Sequence, residues 1–275
     1  MQDRTQGKNR IDLLTLVVIS AFAYQLAIFL HEMGGHGLSC FLVGGHVLEL
    51  GAFYVNCDYT GVTELAIRWV AFAGPFVSLL LGLISFVILG RIPNRGPHLK
   101  FFLWLLGALG LMNITGYLLF SGLSGLGDFG ISRDGILYQV SPAWVWRTLE
   151  TLVGAASYFG VAVLSARQMD KIIGGAGVDR IRRARRIALL AYLSGVIVAL
   201  LISLLNPAGI TIILISAAAG SLGGTSGLLW MMQFVDRKIE SPVPPLQIPR
   251  SWPWIVVGLA FILVYAAVFG PTLHP

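Results

Sequence analysis

Six consecutive residues near the start of the chain, His31-Glu32-Met33-Gly34-Gly35-His36, combine two imidazoles and a carboxylate. A neutral imidazole nitrogen is a common zinc ligand, and a glutamate beside a metal can take a proton from water. These residue types predict half of a zinc site suited to hydrolysis. The alternative is a hydrogen-bonded polar patch between helices.

The spacing of the two histidines requires an irregular helix. In the zinc motif H-E-x-x-H the histidines stand at i and i+4 on one helical face. His31 and His36 stand at i and i+5, about 140° apart in a regular α-helix. We predict a one-residue π-bulge at Gly34–Gly35, which returns both histidines to one face. In the alternative, a regular helix makes Glu32 and His36 the facing pair.

Two glycine-containing motifs follow, Gly44-Gly45-His46-Val47 and Ala73-Gly74-Pro75. Together with the histidine cluster, they resemble the site-2 protease family of intramembrane zinc metalloproteases. More specifically, the chain is similar to the compact M50B-like bacterial branch that lacks a PDZ domain, and the resemblance covers about residues 13–135. The resemblance implies a Zn²⁺ cofactor, Glu32 as the catalytic general base, and a membrane-spanning helix of another protein as substrate. The glycine inserted between the histidines departs from the family motif.

The resemblance also implies a third zinc ligand, an aspartate after a later helix. Asp128 follows an uninterrupted apolar and glycine-rich run, so we predict it as the ligand that joins His31 and His36. Asp134 is the alternative third ligand. Asn113, in the preceding span, is a candidate substrate-binding residue, and helix–helix hydrogen bonding is its other candidate role.

Residues 44–61 have a different pattern, because glycines bound a run rich in Val, Phe and Tyr. This pattern predicts a β-hairpin. In the family a short sheet here lines the substrate channel and can pair with an unwound substrate; an external loop capping the bundle is the alternative. Four further ligand candidates lie in or near this segment: Cys40, His46, Cys57 and Asp58. Two cysteines are too few for a disulfide framework.

The elements that position these residues are predicted to cross a membrane. Of the 275 residues, 12% are charged and 56% hydrophobic, and the mean hydropathy is +0.80. These values exclude a disordered chain and an ordinary soluble enzyme. A spanning helix needs about 20 mostly apolar residues. Stretches free of charged residues predict seven spans, or six if one is re-entrant: Leu13–His31, Trp69–Gly90, Phe101–Gly127, Thr151–Ala166, Ile187–Asn206, Ala208–Val235 and Ser251–His274.

The basic residues predict the orientation of these spans. All of the 19 Lys and Arg residues except Arg68, Arg133 and Arg147 fall in alternate loops. By the positive-inside rule the N-terminus is cytoplasmic and the C-terminus external. We expect a multi-pass protein of the bacterial inner membrane whose first span is a retained signal anchor. The basic loop at 167–186 is predicted to meet anionic lipid headgroups, and no nucleic-acid partner is expected.

The sequence thus predicts an all-α polytopic membrane protein with about seven transmembrane helices and a short β-hairpin after the first. Residues 1–147 would form a metalloprotease-like core with the hairpin 44–61 and the Asp-bearing loop 121–135. Residues 148–275 would form an accessory bundle of four helices.

Two functions fit these features. The first is an intramembrane zinc metalloprotease that hydrolyses peptide bonds in or near membrane-spanning segments. The alternative is a non-catalytic membrane protein, either a degenerate protease scaffold or a transporter-like bundle, whose cluster binds a metal or a proton. The inserted glycine favours the alternative. Glu32 favours the protease, because a binding scaffold needs ligands but no general base.

Overall fold

The computed structural model describes residues 11–92, 96–207, 209–210, 213–236 and 244–275. Six helices in these ranges are long and apolar enough, by length and composition, to cross a membrane. A single two-stranded hairpin follows the first of them, which confirms the predicted polytopic all-α class. The first spanning helix comprises α1 (Leu13–Phe29), a π-helical segment (Leu30–Gly37) and α2 (Leu38–Leu42), and the other five are α3 (Glu64–Arg91), α4 (Pro97–Ser124), α5 (Ala143–Ile173), α6 (Gly177–Ser203) and α8 (Trp252–Phe269).

Local sequence signals explain where the helices that carry the site begin and end. Asp12 caps α1, since its Oδ1 accepts a hydrogen bond from the backbone N–H of Thr15 at 2.9 Å. Gly125 ends α4 with a φ of 77°, a left-handed conformation that glycine adopts without steric cost. Its N–H donates to the carbonyl of Ser121 at 2.7 Å. This stop turns the chain into the loop that contains Asp128.

Contacts between distant segments define the two ends of the bundle. At the end where α1 begins, the N–H of Asp12 donates to the carbonyl of Ile248 at 2.7 Å. At the other end Leu273 pairs with Leu50 of the hairpin.

Six basic residues used to predict the orientation lie outside the described ranges: Arg4, Lys8, Arg10, Arg95, Arg237 and Lys238.

A seventh, discontinuous segment also runs from one end of the bundle to the other. Asn206 lies at the hairpin end, where its amide donates to Thr272 at 3.3 Å. Asp236 lies at the opposite end, where its N–H donates to the Asp170 carboxylate at 3.4 Å. Seven traverses therefore fit the structure better than the six-span alternative. Within the described part of this segment the helices are a π-helical stretch at Ile213–Gly223, α7 at Gly227–Trp230 and a 3₁₀ helix at Met231–Phe234.

Three tyrosines from neighbouring helices stabilise the break at 224–226 between the π-helical stretch and α7. A helix break at membrane depth leaves backbone groups unpaired, at a cost of several kcal/mol each. The tyrosine hydroxyls supply hydrogen-bond partners at 2.8–2.9 Å. The pairs are Tyr24 with the Thr225 hydroxyl, Tyr158 with the Gly224 carbonyl and the Gly227 N–H, and Tyr192 with the Leu222 carbonyl.

The hairpin consists of β1 (His46–Gly51) and β2 (Tyr54–Asp58), paired antiparallel with a bulge between Val47 and Glu49. Cys40 and Cys57 form a disulfide that joins β2 to α2. The suggestion that these cysteines are spare metal ligands is therefore wrong, because both thiols are in a covalent bond.

Candidate metal centre

The segment around the histidines is π-helical over Leu30–Gly37. This confirms the predicted π-bulge, although the irregularity extends over eight residues instead of one. The wider turn places His31 and His36 on one face, with their Nε2 atoms 3.2 Å apart. The regular-helix alternative, in which Glu32 and His36 face each other, is wrong.

Two glycines allow α3 to approach the histidines closely. A Cβ atom on Gly35 would lie 2.7 Å from the backbone nitrogen of Gly74, closer than real Cβ contacts. A Cβ on Gly74 would collide with the Nε2 atoms of both histidines. A Cβ on Gly34 would meet only side-chain atoms at 3.9 Å. The close contact between the two helices therefore requires Gly35 and Gly74, but not Gly34.

Asp128 completes a cluster of three candidate ligands with His31 and His36. Its Oδ2 lies 3.3 Å from Nε2 of His31, and its Oδ1 lies 3.5 Å from Nε2 of His36. One ligand atom from each residue falls within 4.8 Å of the others. Asp134 is not a member of this cluster; its side chain lines the neighbouring cavity. Of the two predicted candidates, the structure brings Asp128 to the histidines.

The hydrogen bonds behind the imidazoles orient both rings so that Nε2 faces Asp128. Nδ1 of His36 lies 2.8 Å from the carbonyl of Val70, which can only accept, so Nδ1 carries the proton. Nδ1 of His31 lies 3.0 Å from Oγ of Ser78, whose own hydroxyl donates to Asn113 at 3.3 Å. Ser78 can therefore accept from His31, and both rings direct Nε2 towards the Asp128 carboxylate.

Such an arrangement fits a bound cation. A cation held between the two Nε2 atoms and the carboxylate would interact favourably with all three groups. Oδ2 of Asp128 is buried and forms no hydrogen bond with the described residues, so it is available to a metal ion. Two imidazoles and one carboxylate, with a further position open, are a known donor set of catalytic zinc. The His31–His36–Asp128 cluster can thus hold a metal ion.

Glu32 lies beside the cluster and is 5% exposed. It lines a cavity of about 130 Å³ on the hairpin side of the histidines and a smaller one of about 30 Å³ on the other side. A water molecule needs about 10–15 Å³ of such space. Both cavities therefore have room for water within reach of the Glu32 carboxylate.

Other parts of the chain complete the cavity walls. Tyr117 of α4 stacks on the His31 ring with the ring centroids 5.3 Å apart. Ser216, from the discontinuous seventh segment, lines both cavities. Burial and the nearby carboxylates of Asp134 and Asp128 raise the pKa of Tyr59 to about 12, so this cavity-lining hydroxyl remains a hydrogen-bond donor.

Sequence reasoning missed several of these residues. Ser78 and Tyr117 contact His31 directly, but a serine or a tyrosine in an apolar span is too common to indicate a metal site. Ser216 lies in a region that carries no resemblance to the protease family. Asn113 bonds Ser78 across α3 and α4, as expected of its helix–helix role, and its binding of substrate stays a prediction.

Comparison with known proteins adds no assignment, since the chain matches no protein-family model, no curated protein and no solved structure. The function must therefore be argued from the chemistry of the site.

Proposed function

We propose that this chain is an intramembrane zinc metalloprotease of the site-2 type, which hydrolyses peptide bonds in or near membrane-spanning segments of other proteins. The observation that carries the proposal is the convergence of two imidazole nitrogens and the Asp128 carboxylate beside a buried glutamate, in a cavity with room for water. A scaffold that only binds a metal has no need of Glu32.

The zinc ligands in this proposal are His31, His36 and Asp128. Bound zinc would acidify a water molecule and polarise a peptide carbonyl. The serine and the carbonyl behind the histidines hold their rings in the ligating tautomer, a support that typically affects metal affinity by about 10- to 100-fold.

Glu32 is the general base of the proposed reaction. Its carboxylate accepts a proton from the attacking water and then donates that proton to the leaving amine. Glu32 is buried beside the metal cluster but is not a ligand in this proposal, because the cluster consists of His31, His36 and Asp128.

The hairpin offers a free strand edge to an extended substrate. Leu50 directs its N–H and C=O away from β2, since both bond to Leu273 at 2.8 and 3.0 Å. In an antiparallel pair the residue opposite such a position also directs its polar groups outward. That residue is Val55, which lines the larger cavity. An unwound substrate segment that adds to this edge would lie beside the cavity that Val55 and Glu32 line.

We place the protein in a bacterial inner membrane with the N-terminus cytoplasmic and the hairpin end external. The Cys40–Cys57 disulfide supports this orientation, because disulfides persist in oxidising compartments such as the periplasm. The arginine-rich start of α6 would then meet the anionic headgroups of the cytoplasmic leaflet.

The Glu32→Gln variant tests the proposed activity. The substitution is nearly isosteric and leaves the three ligands in place, so zinc content should stay at the wild-type level. Cleavage of a co-expressed single-span protein should fall by at least about 100-fold, the lower end of general-base contributions. His36→Ala is the matched control and should lose both metal and cleavage. Unchanged cleavage in Glu32→Gln, or no cleavage by the wild type, would contradict the proposal.

A further inference from the structure

The segment that follows α8 pairs with the outer edge of the hairpin. Leu273 exchanges two backbone hydrogen bonds with Leu50 of β1, at 2.8 and 3.0 Å. The hydroxyl of the preceding residue, Thr272, lies 3.1 Å from the Tyr54 hydroxyl and accepts from the Asn206 amide at 3.3 Å. Residues far apart in the chain therefore join at this edge.

The tip of the hairpin is also attached to α8. Ala52 and Phe53, which connect the two strands, are only 0% and 5% exposed. They pack in one cluster with Tyr265 of α8, whose hydroxyl donates to the Ala52 carbonyl. Phe53 lines both cavities beside the metal cluster. Any displacement of the hairpin tip would thus alter a wall of the site.

These contacts determine which strand edge remains open. A hairpin has two edges, and either can accept an extended peptide. Leu273 occupies the β1 edge at Leu50, whereas no backbone partner pairs with the β2 edge at Val55 among the described residues, and Val55 itself lines the larger cavity. A slip of one residue in the pairing of β1 with β2 would turn the N–H and C=O of Val55 inward, towards β1.

We propose that Thr272 and Leu273 form a positioning strand for the site: by pairing with β1 they hold the hairpin so that Val55 of β2 and Phe53 at the tip line the cavities beside the metal cluster, and they prevent an extended peptide from pairing with β1 at Leu50. The inference rests on the proposed function for its substrate, but its structural part can be measured without cleavage. Among the described residues no hydrogen bond or ion pair joins Thr272 or Leu273 to the ligands or to Glu32; outside their own turn, their hydrogen bonds go to the hairpin and to Asn206.

The test compares Leu273→Pro with Leu273→Ala in the full, zinc-loaded chain in lipid nanodiscs. Proline removes the N–H that donates to Leu50 and restricts the backbone, whereas alanine keeps the backbone pairing and shortens only the side chain. Thr272→Val is a milder second variant, which removes the hydroxyl shared by Tyr54 and Asn206. Three quantities are measured: zinc content, hydrogen exchange of the hairpin amides, and cleavage of a designed single-span protein with a Gly-Pro break in its helix.

Leu273→Pro should retain zinc, exchange its hairpin amides at least about tenfold faster, and show a reduced kcat on the single-span probe. Leu273→Ala should match the wild type in all three measurements, and Thr272→Val should fall between the two. Wild-type exchange in Leu273→Pro, or faster exchange with unchanged kcat, would overturn the positioning role. A wild type that cleaves nothing would instead refute the proposed protease, while the exchange data would still decide whether Leu273 holds the hairpin.

Discussion

Gly35→Ala should disrupt the metal site although residue 35 is not a ligand. The new Cβ would stand 2.7 Å from the backbone nitrogen of Gly74 and 2.9 Å from the carbonyl carbon of Ala73. Backbone atoms cannot rotate away, so α3 must move back from the π-helical segment. Overpacking of this kind typically costs about 1–3 kcal/mol. If that cost is taken from metal binding, zinc affinity falls by about 5- to 150-fold, since each 1.4 kcal/mol is tenfold.

Gly34→Ala is the matched control, one residue away in the same segment. Its Cβ meets only side-chain atoms of Leu30 and Val77 at 3.9 Å, an ordinary van der Waals contact. Zinc dissociation constants, measured by competition with a chelating dye on detergent-purified protein, should therefore be unchanged for Gly34→Ala and raised for Gly35→Ala. Equal affinities for the two variants would refute the argument that close approach of α3 builds the site.

Three further predictions concern the supports of the site and its orientation. Ser78→Ala removes the acceptor for Nδ1 of His31, so zinc affinity should fall by about 10- to 100-fold. Ser85→Ala, at another buried serine of α3, is the control and should leave zinc affinity unchanged. Equal losses of affinity in the two variants would contradict the role of Ser78. Replacing Cys40 and Cys57 together by serine opens a disulfide that spans 17 positions. This should lower the free energy of unfolding by about 3 kcal/mol while zinc is retained, as measured by denaturant titration, and an unchanged midpoint would argue against the pairing. A cysteine placed at Val178 should react with an impermeant reagent only from the cytoplasmic side and one at His274 only from outside; labelling of both from one side would refute the proposed orientation.

The histidine spacing allowed the most specific structural feature to be predicted from sequence. An i, i+5 pair with two intervening glycines cannot share a face of a regular α-helix, so a π-bulge was the simplest solution, and Leu30–Gly37 is π-helical. The choice of Asp128 over Asp134 was also predictable. Asp128 directly follows a long apolar run, so it is expected to lie closer to the membrane interior than Asp134, which is six residues further along the loop.

The boundaries of the spans were less predictable, because a spanning helix does not end where the apolar run ends. The first span continues through the cluster to Leu42, and α5 extends from Ala143 to Ile173 past the predicted bounds Thr151–Ala166. Charged residues such as Arg147 and Lys171 lie near the ends of α5, where long side chains can reach the polar interface while their stems stay among apolar groups.

The contacts that shape the cavity join residues far apart in the chain, and a single sequence carries no signal for them. Leu50 and Leu273 pair across the whole molecule, and neither residue type indicates a partner. The helix break that Tyr24, Tyr158 and Tyr192 stabilise follows a run of small residues. Such a run predicts close packing of an unbroken helix as well as it predicts a break. Such features depend on tertiary packing that local patterns do not encode.

The zinc content of the purified protein, measured for the wild type beside Asp128→Ala and Asp134→Ala, shows whether His31, His36 and Asp128 hold a metal ion. We expect about one zinc per chain in the wild type and in Asp134→Ala, and almost none in Asp128→Ala, because the cluster of two imidazoles and one carboxylate loses a ligand only in Asp128→Ala. A wild type without zinc, or a loss of zinc in Asp134→Ala with retention in Asp128→Ala, would contradict this expectation.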